Sequence, residues 1–91
     1  MNETNVIYIG QKPVMNYVLA AGKRLSESGS SVLIQARGKS ISKAVDVALI
    51  TVNRSGGELS MGEIGIRTEV LPGVDGSPLN ISSIRIALNR P

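Results

Sequence analysis

The chain has 91 residues, 42% hydrophobic and 19% charged, with no Cys, His, Trp or Phe, which describes one small domain, residues 1–91, built on a single core. Without imidazole or thiol there is no zinc or iron–sulfur centre, no disulfide and no ordinary nucleophile–base pair, so neither an enzyme nor a cofactor or bound metal is expected. Ten Lys+Arg against seven Asp+Glu leave a formal net charge of +3, and Tyr8 and Tyr17 are the only aromatic residues, few for the ring platforms that stack unpaired bases.

Asn5 to Ile9 is a short run rich in β-branched and aromatic residues, closed by Gly10, and reads as a strand. Pro13 sits where the first turn of a helix tolerates it, and Val14, Tyr17, Val18, Ala21 and Leu25 recur at helical spacing up to Ser28-Gly29. Ser31 to Arg37 alternates Val32, Ile34 and Ala36 against Leu33, Gln35 and Arg37, a second strand ended by Gly38. A second helix is predicted from about Ser40, on the stripe Ile41, Ala44, Val45, Ala48 and Val52, with Ser55-Gly56-Gly57 as its stop. Leu59 and Met61 share a face until the phase slips at Gly62-Glu63, so a bulge near Gly62 lets Ile64, Ile66 and Val70 continue the inward face. Leu71 to Asn80, with its Pro72-Gly73 and Asp75-Gly76 pairs, reads as a hairpin arm, and Ile84, Ile86 and Leu88 alternate in a final strand. The order β-α-β-α-β-β gives an α/β (α+β) two-layer sandwich, one mixed sheet carrying two helices and ending in a long C-terminal β-hairpin.

Met15 and Leu19 on the first helix, and Val47, Leu49 and Ile50 on the second, lie off these stripes. The ordinary explanation is a deeply buried helix; in so short a chain the preferred one is burial of part of the second helix and the last hairpin against a copy of the chain, a homodimer. No apolar run approaches the ~20 residues that span a bilayer, and Met1-Asn2-Glu3-Thr4 lacks the basic start of a signal peptide. A cytoplasmic protein with no membrane partner is expected.

The charge is uneven. Residues 10–45 hold Lys12, Lys23, Arg24, Arg37, Lys39 and Lys43 against Glu27 alone, a net of +5, whereas residues 46–91 net −1. A basic half of this kind suggests a surface facing a polyanion. Two polar turns, Gly10-Gln11-Lys12-Pro13 and Arg37-Gly38-Lys39-Ser40, each lead from a strand into a helix. If those strands are parallel neighbours, both turns emerge at one end of the sheet and bring Lys12 together with Arg37, Lys39 and Lys43. Gly38-Lys39-Ser40 is not a Walker A loop, because Leu33 stands where its first glycine is needed. A helix entrance still offers free N–H groups to a phosphate, and cations there run against the helix dipole, a local cost that a binding site explains. The plainer alternative is that Lys43 pairs with Asp46 at i, i+3 and the other cations are merely solvated.

Ile9-Gly10-Gln11-Lys12-Pro13-Val14-Met15-Asn16-Tyr17-Val18 and Ala36-Arg37-Gly38-Lys39-Ser40-Ile41-Ser42-Lys43-Ala44-Val45-Asp46 strongly resemble the Alba family of archaeal chromatin proteins, and the resemblance covers nearly the whole chain. It implies a chromosome-associated homodimer that binds double-stranded DNA, and also RNA, largely without sequence preference. It implies nucleic-acid contacts from Lys12, Arg37, Lys39 and Lys43, weaker ones from Gln11 and from Gly73, Asp75 and Gly76 on the hairpin arm, and acetylation at Lys12 by a lysine acetyltransferase and its deacetylase. Three departures from the family pattern predict weak binding and limited DNA compaction. Gln11 stands where the first lysine of a pair is usual, Ser55 where a Phe often packs dimer on dimer, and no Lys or Arg lies between Leu71 and Ser83. The alternative within the same family is an RNA-binding subunit of a ribonucleoprotein.

Overall fold

The computed structural model describes residues 5–90; Met1 to Thr4, on which the leader reading rested, lie outside the described residues. The elements follow in the order β1 (Val6–Tyr8), α1 (Val14–Ser28), β2 (Ser31–Arg37), a 3-10 turn over Gly38–Ser40, α2 (Ile41–Arg54), β3 (Ser60–Pro72) and β4 (Pro78–Asn89). One sheet has the strand order β1-β2-β4-β3, with β1 parallel to β2 and β4 antiparallel to both its neighbours. The predicted α+β sandwich is therefore the observed one. Backbone bonds Leu33 N–H to Asn5 O and Ile9 N–H to Gln35 O carry the β1 ladder over the whole predicted run 5–9.

The core lies on one sheet face. Ile7 and Ile9, then Val32, Ile34 and Ala36, then Ile84, Ile86 and Leu88, supply it from alternate positions of three strands, and Val18, Ala21 and Leu25 of α1 close it from above. On α2 the buried residues are Ala44, Val47, Ala48 and Thr51. This corrects the predicted stripe, because Val47 faces inward and Val45 is exposed. The physical reason is rotation about the helix axis: Ala44 and Ala48 face the sheet as predicted, and the turn of the helix that buries Val47 and Thr51 beside them carries Val45 to the flank. The Thr51 hydroxyl, buried with this face, donates to the Val47 carbonyl one turn back, so its burial leaves no orphaned donor.

The predicted bulge is present as a register shift between Met61 and Ile64. A Cβ at Gly62 would displace the Asn89 side-chain amide and lie tight against the Ala87 carbonyl and Cβ, so a glycine accommodates the slip with least adjustment. Past it, Ile64 pairs with Ile86 and Ile66 with Ile84, which puts both on the core-bearing face. They are nonetheless 54% and 79% exposed, and Val70 is 65% exposed. The inward face continues as predicted, but on this edge strand nothing among the described residues covers it. The arm is more regular than its turn residues suggest, since β3 and β4 pair out to Pro72 and Pro78 and leave only residues 73–77 as loop.

Candidate functional site

β1 and β2 run parallel, so their C-terminal ends open on the same end of the sheet. β4 begins at that end too: its Ser83 pairs with Arg37, the last residue of β2, and its earlier residues pair with β3 alone. The β1–α1 turn, the β2–α2 turn and the hairpin arm thus leave the body of the molecule together, as the parallel arrangement of β1 and β2 requires.

Lys43 joins the two turns. Its Nζ donates to the Gly10 carbonyl at 3.0 Å and to the Lys12 carbonyl at 2.8 Å. The alternative pairing with Asp46 is not observed; the half-buried ammonium ties α2 to the β1–α1 turn, an engagement that competes with the predicted phosphate contact. Tyr17 clamps the same two residues from the other side, its phenol oxygen accepting the N–H of Gly10 at 2.9 Å and of Lys12 at 3.1 Å. Burial opposes ionisation of this phenol, but the N–H donors of Lys12 and Gly10, with the nearby charges of Lys43 and Lys12, hold it below the ordinary tyrosine value. Both backbone groups of both residues are therefore occupied, which fixes the turn that projects Lys12. Tyr17 carried no functional reading in the sequence, because its place in the apolar stripe of α1 accounted for it.

Most of the basic half is committed within the fold. Lys23 lies 4.0 Å from Glu27 one turn on, and Arg24 donates to the Val6 carbonyl at 3.0 Å. Arg37 Nη2 meets Glu69 Oε1 at 2.8 Å, a pair that joins β2 to β3 across β4. With Lys43 also engaged, Lys12 and Lys39 are the two cations of that half whose side chains have no partner among the described residues. Both are exposed, as is Gln11 beside Lys12. Lys39 stands in the 3-10 turn rather than in α2, and no acidic residue occupies the first turn of either.

At the arm tip, Asp75 Oδ1 accepts the Ser77 N–H at 3.0 Å, and Gly73 N–H bonds to Ser77 O at 2.8 Å. The Ser77 N–H is the chief reason the Asp75 carboxyl sits below its ordinary value. Gly76 has φ +87°, a left-handed backbone that favours glycine. These three residues build the turn, and the exposed tip side chain beside them is Val74.

A family model described as Alba matches residues 5–68. The chain belongs to the Alba family. The DNA/RNA-binding protein Alba of Methanocella arvoryzae is 47% identical over all of this chain and 95% of its own length, and that of Thermoplasma volcanium is 48% identical over 99% of this chain and all of its own. The solved structure of Alba from Thermoplasma volcanium superposes with a TM-score of 0.87 at 46% identity, covering 94% of this chain and all of the other.

In this Alba chain the Arg37–Glu69 pair links the body to the root of the arm. The Glu69 carboxyl is held below the ordinary glutamate value first by the Arg37 guanidinium and next by the Ser83 hydroxyl, with burial opposing. A carboxylate whose folded-state pKa is depressed stabilises the fold at pH above the unfolded value and loses that contribution as pH falls through the lowered one. Glu69→Gln is therefore expected to flatten the acid limb of a melting-temperature profile, which in the parent falls off below about pH 4.5. Parallel acid limbs in the two proteins would show that the pair does not contribute.

Proposed function

We propose that this protein is a chromosome-associated architectural protein, a homodimer that binds double-stranded DNA through its phosphates with little sequence preference. The observation that carries the reading is the double clamp of Lys43 and Tyr17 on Gly10 and Lys12, which fixes the turn that projects Lys12 at the end of the sheet where Arg37 closes β2 and Lys39 follows it. The relatives' names as DNA/RNA-binding proteins support it.

Charge economy supports modest strength. With Lys43 engaged, each protomer offers Lys12, Lys39 and the exchangeable Arg37, so a dimer places four to six cations on phosphate. Log K against log[salt] is then expected to slope about −3.5 to −5.5 on duplex DNA. A slope near zero overturns the reading. Lys12→Ala should weaken binding to unrelated sequences equally and reduce the slope, because phosphate contacts carry no sequence information. Acetylation of the exposed Lys12, by an acetyltransferase and reversed by a deacetylase, would act in the same direction by removing its charge.

Dimerisation rests on the uncovered apolar face of β3 and on Val45 and Leu49, which are 38% and 47% exposed. Lys43 and Val45 lie about 200° apart on the helix; with Lys43 reaching the entrance of α1, Val45 and Leu49 turn toward β3. A long apolar edge strand beside an apolar helix flank is a surface that calls for cover. Cytoplasmic location goes with chromosome association; among the described residues no helix is long and apolar enough to cross a membrane.

The second reading, a ribonucleoprotein subunit, is favoured by the DNA/RNA-binding names of the relatives. Competition between duplex DNA and structured RNA at fixed salt separates the two.

A further inference from the structure

The sheet face turned away from the helices is open, and the sheet register assembles on it a group of side chains that the duplex-facing end does not use. Tyr8 of β1 pairs with Gln35 of β2, Gln35 with Arg85 of β4, and Arg85 with Gly65 of β3. One step along, Arg37, Ser83 and Arg67 form a parallel row. A cleft of ≈ 550 Å³ is lined by Tyr8, Gln35, Arg37, Arg67, Ser83 and Arg85.

Three properties set this cleft apart from a merely solvated sheet. Tyr8 is 71% exposed on it, although neighbouring Ile7 and Ile9 are buried on the other face. Arg67 and Arg85 have no carboxylate partner among the described residues, while Glu69, the carboxylate that lines the cleft, is already neutralised by Arg37. Gly65, paired with Arg85 at the edge of the cleft, presents no side chain, and a Cβ there would meet nothing within 4 Å, so the sheet beside Arg85 is open. Tyr8 and Arg85 stand two strand spacings apart, about 10 Å, within the reach of a planar ring system and the anion attached to it. The chemistry that fits is a stackable base on the Tyr8 ring with its phosphates on Arg85 and Arg67.

We propose that the open sheet face is a second nucleic-acid site, specific for single strands, in which Tyr8 stacks one base and Arg85 and Arg67 hold the adjoining phosphates. A duplex does not satisfy it, because its bases are already stacked and paired. The site's contacts, from Tyr8, Arg85 and Arg67, use none of Lys12, Lys39 and Lys43; Arg37, which the proposed duplex surface also offers, enters the cleft only as the partner of Glu69.

The test titrates the full-length protein with an unstructured uridine-rich oligoribonucleotide and, separately, with duplex DNA, at one salt concentration. Tyr8→Ala and Arg85→Ala should each weaken oligoribonucleotide binding about tenfold and leave duplex binding within about twofold. Tyr8→Phe, which keeps the ring, should retain binding. Lys12→Ala should weaken duplex binding with little effect on the oligoribonucleotide. The chain lacks Trp, so the emission of a Tyr8→Trp variant reports stacking directly, and quenching on saturation is expected. Unchanged oligoribonucleotide affinity in Tyr8→Ala and Arg85→Ala, equal losses on both probes, or unquenched Tyr8→Trp emission overturns the proposal. Failure of Lys12→Ala alone to affect duplex binding counts against the duplex reading and leaves this site standing.

Discussion

Replacing Ile66 with glutamate is expected to turn dimers into monomers in sedimentation and to lower duplex affinity by about two orders of magnitude or more. Ile66 lies on the core-bearing face of β3, opposite Ile84, and is still 79% exposed. Within one protomer the substitution therefore removes little packing. Across the two-fold interface proposed above each residue would occur twice, so Ile66→Glu would place two carboxylates in the apolar seam proposed for Ile64, Ile66 and Val70. Burying each large aliphatic side chain contributes about 1.5–3 kcal/mol, and an uncompensated carboxylate there costs several kcal/mol more. Linked binding surfaces gain roughly 10²–10⁴ in affinity over single ones, so separating the protomers removes that gain and about halves the salt slope. Ile66→Val, which keeps the seam apolar, is the control. A glutamate variant that still sediments as the parent does would refute the assignment of this face to the dimer.

The elements that bind their own neighbours in sequence were legible. The alternation of β2, the helical spacing in α1 and the phase slip at Gly62 each record a local period, and the structure realises all three. The convergence of the two turns was legible as well, because parallel pairing of β1 and β2 follows from the strand–helix–strand order. What escaped was whatever depends on contacts between distant segments. Periodicity gives α2 two competing apolar flanks, and only packing against the sheet decides for Ala44, Val47 and Ala48 over Val45. Arg37 and Glu69 belong to strands that meet only through β4, so no spacing rule brings them together. The same holds for Lys43, 33 residues from Gly10 and 31 from Lys12. Counting cations along the chain treated Lys12, Arg37, Lys39 and Lys43 alike as available. The fold engages Arg37 and Lys43.

Lys43 therefore separates two kinds of loss that sequence reasoning would merge. If Lys43 contacted phosphate, Lys43→Ala would lower the salt slope and leave thermal stability alone, as Lys12→Ala is expected to do. Bonded as it is to two carbonyls, its truncation instead removes charge-assisted hydrogen bonds that count toward stability. Their partial exposure to water limits the loss to about 1–2 kcal/mol, or about 4–16 °C in melting temperature for a domain of this size, compared at fixed protein concentration because the proposed dimer would add its own stability. Duplex affinity should fall with it, since the turn that projects Lys12 loses its carbonyl anchor, while the salt slope stays near that of the parent. Tyr17→Phe removes the acceptor from the other side of the same turn, and the two variants combined should be non-additive by about 0.5 kcal/mol or more. Additive losses, or a Lys43→Ala protein that melts with the parent while its salt slope drops by about two per dimer, would return Lys43 to the phosphate-contacting surface and leave the clamp without a role.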